Sequence, residues 1–151
     1  MTPTTVHILS VCRHGAGRSQ IAASVIAAAL RGDGPLPQFA RPVTAVTHVA
    51  GTSPLEATRP VPEVIVGLLG EIGLEPVQQN CVPLTEDDVA AADRIICFAE
   101  RDTWPSYLTA HPQLSWYSVA DGKGRSVQFQ RAMRDEVVAR ARTFLTEWSR
   151  A

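Results

Sequence analysis

Residues 5–32 read TVHILSVCRHGAGRSQIAASVIAAALRG, and the order of chemistry along that stretch decides how the rest of the chain is read. Residues 5–11 are rich in β-branched and aliphatic side chains, the signature of a buried strand. From residue 19 the pattern changes period: Ile21, Val25, Ile26 and Leu30 recur at helical spacing, with Ser19 as N-cap and Gly32 as the stop. Between strand and helix lie Cys12, two glycines and Arg18. A strand that turns tightly into a helix aims backbone N–H groups inward, and the helix dipole adds positive potential at the same point. Gly15 and Gly17 are expected to take positive φ, letting the backbone curl around a small anion. Arg18 supplies a permanent charge whose fork matches two oxygens of a tetrahedral oxyanion. The same field favours the charged form of Cys12, and Ser19 can donate a hydrogen bond to its sulfur. A bare Cys-x5-Arg is weak evidence; the strand, glycines, serine and helix around it make the combination specific.

Working outward, the alternation continues. A Pro/Gly loop (33–42) leads to a second expected strand (43–49), and 51–60 is turn-like. An amphipathic helix is expected over 61–73, ending at a glycine. Thr85 and Asp88 then form the capping box of a short helix before a third strand at 94–99. A helical stretch from Trp104 to Thr109 and a strand at 115–119 follow, then a loop, ADGKGRS, and a long helix over 127–149. Strands alternating with helices specify an α/β fold with a parallel sheet, whose ligands bind beyond the carboxyl ends of the strands. Cys12 stands at such an end.

The bulk numbers agree with one globular domain, taken as residues 1–151, and exclude several function classes. The chain is 45% hydrophobic and 19% charged, with a net charge of −1 that advertises neither nucleic acid nor a membrane surface. No convincing export signal opens the chain, and no apolar run approaches the roughly 20 residues that span a bilayer. Three cysteines fit no zinc pattern, and free thiols suit a reducing cytoplasm.

The loop and its surroundings resemble the low-molecular-weight protein tyrosine phosphatase superfamily, which includes the thiol-dependent arsenate reductases. The likeness extends through VAGTSP (49–54), RPVPEVIVGLLGEIGLEP, LTEDDVAAADRIICFAERD, WYSVADGKG and FQRAMRDEVVARARTFL, nearly the whole chain. It implies a three-layer architecture, a four-stranded parallel sheet flanked by helices. It also implies roles: Cys12 as nucleophile, Arg18 as oxyanion clamp, Ser19 as thiol partner and Asp121 as general acid. Arg13, His14, Gly15, Ala16, Gly17 and Arg18 would form the oxyanion-binding loop. The expected substrate is a phosphorylated protein or a small phosphate ester, with no metal or organic cofactor.

The chain departs from the family pattern at three places. Gly15 replaces an asparagine that fixes the loop, so a less rigid cradle is expected. Gly122 replaces the proline of an Asp-Pro acid loop, which would loosen it. Lys123 follows two residues after Asp121, where a solvated loop charge and a cation facing the substrate phosphate are both open readings; beside the acid it would make a poorer proton donor. HGAGRSQIAA leans towards arsenate reductases, but neither Cys81, read as a loop thiol, nor Cys97, read as core, reproduces their paired cysteines. A reductase would therefore act on arsenate through an external thiol such as mycothiol. A third alternative is a catalytically weak oxyanion-binding protein. Trp104, Tyr107, Trp116 and Tyr117 are candidates for gripping an aromatic leaving group or for packing in the core.

Overall fold

The computed structural model describes residues 5–33, 43–53 and 58–149. Strand β1 (Val6–Cys12) runs into helix α1 (Arg18–Arg31), followed by β2 (Ala45–Gly51) and a two-residue strand β3 (Arg59–Pro60). Next come α2 (Glu63–Gly70), β4 (Asn80–Cys81), α3 (Glu86–Ala91) and β5 (Arg94–Cys97). The chain closes with α4 (Ser106–Thr109), β6 (Leu114–Trp116) and α5 (Val127–Ser149). The main sheet has the order β2-β1-β5-β6, with every neighbouring pair parallel.

That order places the topological switch between β1 and β5, because the chain leaves β1 for one side and returns on the other. Pleat divides the interior into two cores. Ile8, Cys12, Ile96 and Phe98 face α1, α2 and α5 with Ile21, Val25, Leu69, Val137 and Phe144. Leu9, Val11, Ile95 and Cys97 face the opposite layer with Val89 and Leu108. Helix α1 is buried from Arg18 to Ile26, its aliphatic side chains in the core and its polar ones, Arg18, Ser19, Gln20 and Ser24, each hydrogen-bonded. Removing Ile21, Val25, Ile26 and Leu30 from water contributes about 1.5–3 kcal/mol for each side chain.

The parallel sheet, the Thr85–Asp88 capping box and the closing helix stand as the sequence reads. Other details differ for local reasons. Helix α1 starts at Arg18 with Gly17 as N-cap and no side-chain cap, so Ser19 is not the cap. Its stop is Gly32 at φ +87, whose amide returns to the last turn. The stretch Trp104–Thr109 is not one helix. Pro105 holds Trp104 extended (ψ 127°) and separates a 3₁₀ turn at Arg101–Thr103 from α4. Strand β2 runs two residues further than expected, to Gly51, while the Pro/Gly loop at 34–42 and residues 54–57 lie outside the described residues. The small antiparallel ladder β3–β4 has no periodicity to announce it. It makes Cys81 a buried strand residue, 6% exposed, rather than a loop thiol.

Helices α2 and α5 are tied by Glu71, which accepts from Arg131 at 2.7 Å and Arg134 at 2.6 Å. The two guanidinium groups, Arg131 first, hold its carboxyl down at about 2, so the tie is ionised at neutral pH. It matters because both helices wall the cavity described next.

Candidate functional site

The loop after β1 turns its carbonyls outward. Cys12 O accepts from Thr52 N (3.0 Å), Arg13 O from Ser53 N (2.7 Å), and Gly17 O from Ile21 N (3.0 Å). The Gly15 carbonyl accepts from Gln20 Nε2 at 2.9 Å, and Gln20 is fully buried. With the carbonyls engaged outside the loop, among the described residues no amide of residues 13–17 donates to a protein acceptor. That leaves a row of donors beside the uncapped N-terminus of α1, the arrangement an oxyanion needs.

Gly15 has φ +65, and a Cβ there would stand 2.8 Å from Gly51 N. A Cβ on Gly51 would in turn meet His14 C at 2.5 Å, so backbone packs on backbone and neither position admits a side chain. Gly17 does not share this role: its φ is −123, against the positive value expected. The rigidity that an asparagine at position 15 would give comes from other groups. Gln20 holds the Gly15 carbonyl, and His14 Nδ1–H donates to Ser53 O at 3.0 Å.

Cys12 is 2% exposed, and its Sγ lies 2.9 Å from Ser19 Oγ. Ser19 is itself fastened through its carbonyl, which accepts from Ser10 Oγ at 2.8 Å. The side chain of Arg18 crosses to the switch point. Its Nη1 donates to Phe98 O (3.1 Å), Val119 O (2.9 Å) and Glu100 Oε1 (2.9 Å), while Nη2 faces Asp121 Oδ2 at 3.9 Å. Nη1 anchors the guanidinium to the loops after β5 and β6, and Arg18 lines the same cavity as Cys12. Burial opposes the Arg18 charge, but the Cys12 sulfur, Glu100 and Asp121 outweigh it and hold the group above its ordinary value. Partial burial likewise pushes the Glu100 carboxyl up, and Arg18, more than offsetting that, brings it below the usual range. The contribution of this pair is therefore complete above the ordinary carboxylate range and lost only as pH falls through the lowered value of Glu100.

Asp121 sits on the loop after β6 with its other oxygen, Oδ1, accepting from Lys123 N at 3.0 Å, an Asx turn. Gly122 is buried against α5, where a Cβ would stand 3.2 Å from both Gln130 Cγ and Met133 Cε. Close packing thus accounts for the glycine where looseness was expected. Cys12, His14, Arg18, Asp121 and Lys123 all line one cavity of about 380 Å³, walled by Pro62, Val64, Ile65 and Met133. Arg13 is exposed and does not line it.

None of the four aromatic candidates lines the cavity. Trp104 and Trp116 both donate Nε1–H to Ala99 O, at 3.0 and 2.9 Å, with Arg101 over both rings. Cys97 is wholly buried on the opposite face of the sheet from Cys12, since the register sets it beside Val11. Burial pushes its thiol up to about 12. All three cysteines are free, and among the described residues no cluster could hold a metal ion. Sequence reasoning missed Glu100, Gly51 and the anchoring role of Gln20; a carboxylate in the loop just after the third expected strand was the available signal for the first.

No protein-family model matches the sequence, nor does any curated protein. Solved structures match at the level of fold. A low-molecular-weight protein tyrosine phosphatase from T. tengcongensis superposes with a TM-score of 0.71 at 19% identity, over 94% of this chain and 98% of that one. An arsenate reductase in a phosphate-bound state gives 0.70 at 17% identity, over 94% and 98%. An arginine phosphatase from Geobacillus stearothermophilus gives 0.67 at 20%, over 94% and 91%. At these identities the likeness is one of architecture.

Proposed function

We propose that this chain is a cysteine-dependent phosphomonoester hydrolase working through a phosphoenzyme on Cys12. The observation that carries the reading is convergence: one cavity lined by Cys12, Arg18 and Asp121, with Asp121 Oδ2 3.9 Å from Arg18 Nη2. The Cys12 thiolate attacks phosphorus in line, the bond from phosphorus to the ester oxygen breaks, and Asp121 gives that oxygen its proton. The loop amides and Arg18 hold the non-bridging oxygens as charge shifts onto them. Asp121, now a carboxylate, takes a proton from water, which attacks phosphorus and expels sulfur; Ser19 Oγ–H stabilises the thiolate as it leaves. Inorganic phosphate departs.

The test sets an aryl phosphate against arsenate supplied with mycothiol or thioredoxin. Hydrolysis of the ester without added thiol supports the reading. Arsenate consumption that depends on thiol, with no ester turnover, replaces it with reduction, and phosphate binding without either turnover leaves an oxyanion-binding protein.

Glu100 acts in this scheme as a positioning residue for Arg18. Glu100→Ala is expected to lower kcat/KM by about 10- to 100-fold, because a displaced clamp misaligns the phosphoryl group. Glu100→Gln keeps an acceptor for Nη1 and is expected to restore most of the loss. Equal kinetics for alanine and parent, measured with an aryl phosphate, would remove the role.

A further inference from the structure

Two cations in the cavity wall have no task in the reaction just described. Arg59, on β3, and Lys123, beside the candidate acid, both line it, and neither forms an ion pair among the described residues. Lys123 is exposed, but its backbone is fixed by hydrogen bonds. It occupies the corner of a turn closed by Arg125 N donating to Gly122 O at 3.0 Å, with Gly124 at φ +74 as the next residue. Its own amide is held by Asp121 Oδ1. Among the described residues the other acidic and basic side chains of the lining, Arg18 and Asp121, face one another, with Nη2 3.9 Å from Oδ2. A phosphoryl group in the cradle takes up the charge of Arg18 and leaves Arg59 and Lys123 unmatched. Among the described residues the wall adjoining them is aliphatic, made by Pro60, Val64, Ile65 and Met133, with no Phe, Tyr or Trp.

We propose that Arg59 and Lys123 select phosphomonoesters with an anionic leaving group. The apolar part of that group lies along Val64, Ile65 and Met133, and a carboxylate or equivalent anion reaches the two cations. The proposal rests on the hydrolase reading and adds a substrate class to it. An acidic phosphopeptide and a small carboxylated ester share this chemistry.

The experiment compares 4-(carboxymethyl)phenyl phosphate with its carboxamide, which differ in charge and hardly in leaving-group acidity, using the full chain. A parallel arm uses phosphotyrosine peptides flanked by Glu or by Gln. At low ionic strength the carboxylate ester is expected to have kcat/KM about 3- to 10-fold above the amide, mainly through KM, the scale of two solvent-exposed ion pairs. The ratio should approach one in Arg59→Gln/Lys123→Gln and in about 0.5 M salt. Preference for Glu in the peptide arm points to a protein substrate, and preference confined to the small esters points to a metabolite-sized one; either supports the inference. Equal turnover within both pairs overturns it while the hydrolase reading stands. A preference that survives the double substitution overturns the assignment to these residues. No turnover of any of the four compounds overturns the hydrolase reading itself, and this inference with it.

Discussion

Cys12→Ser is expected to abolish turnover of an aryl phosphate, by at least about 10⁴-fold in kcat, while inorganic phosphate still binds. A hydroxyl replaces a thiol at a site 2% exposed, so the change is nearly isosteric and the surrounding packing has no reason to move. The groups proposed to bind phosphate are elsewhere: the loop amides and Arg18, whose anchors on Phe98, Glu100 and Val119 do not involve the sulfur. What is lost is the sulfur nucleophile: a serine hydroxyl is far weaker with no base beside it, and the group 2.9 Å away is another hydroxyl, Ser19 Oγ. Neither remaining thiol can substitute. Cys97 faces the opposite core and is pushed up to about 12, and burial also raises the Cys81 thiol. Steady-state hydrolysis with calorimetric titration of phosphate checks both halves of the expectation. Activity within about 10-fold of the parent would mean that sulfur is not the nucleophile. Loss of phosphate binding along with activity would mean that the substitution had damaged the cradle.

The parts of this molecule that were legible in the sequence are those set by local chemistry. Strand β1 followed by Cys12, the glycines and α1 could be read because a change of hydrophobic period marks each boundary, and the side of the sheet followed from parallel topology. Ser19 Oγ stands 2.9 Å from the Cys12 sulfur and does not cap α1, because the sulfur engages the hydroxyl a cap would use. Gly15 and Gly17 look alike in a string of letters, yet only Gly15 meets another backbone closely enough to need φ +65. The illegible parts depend on pairings far apart in sequence. Glu100 reaches Arg18 across 82 residues, and Gly51 is required by a loop 36 residues before it. Gln20 is adjacent to the motif, but its service to the Gly15 carbonyl depends on how the loop folds back over α1. The aromatic side chains failed as pocket candidates because the Ala99 carbonyl gathers both indoles away from the cavity.

Asp121→Asn gives the other large expected effect, and its size should depend on the leaving group. Asparagine keeps a side-chain oxygen to accept from Lys123 N–H, so the Asx turn and the packing of Gly122 on α5 are preserved. The proton is what disappears. For an ester of a poorly acidic phenol, the departing oxygen needs that proton, and kcat is expected to fall by about 10²- to 10⁴-fold. For a nitrophenol, whose anion leaves without help, the loss should be confined to the second step, where Asp121 accepts a proton from water. Hydrolysis then becomes limiting, and the phosphoenzyme on Cys12 should accumulate as a burst under rapid mixing. A loss of equal size across phenols of differing acidity, with no burst, would reduce Asp121 to a group that holds the loop and Arg18 in place. If arsenate chemistry with an external thiol were the true reaction, the same substitution would matter less, because the oxygen leaving arsenic departs as water or hydroxide rather than as an alkoxide or phenolate. The position of Oδ2, 3.9 Å from Arg18 Nη2 at the edge of the cavity, favours the leaving-group dependence. A carboxyl serving only the turn would need Oδ1 alone.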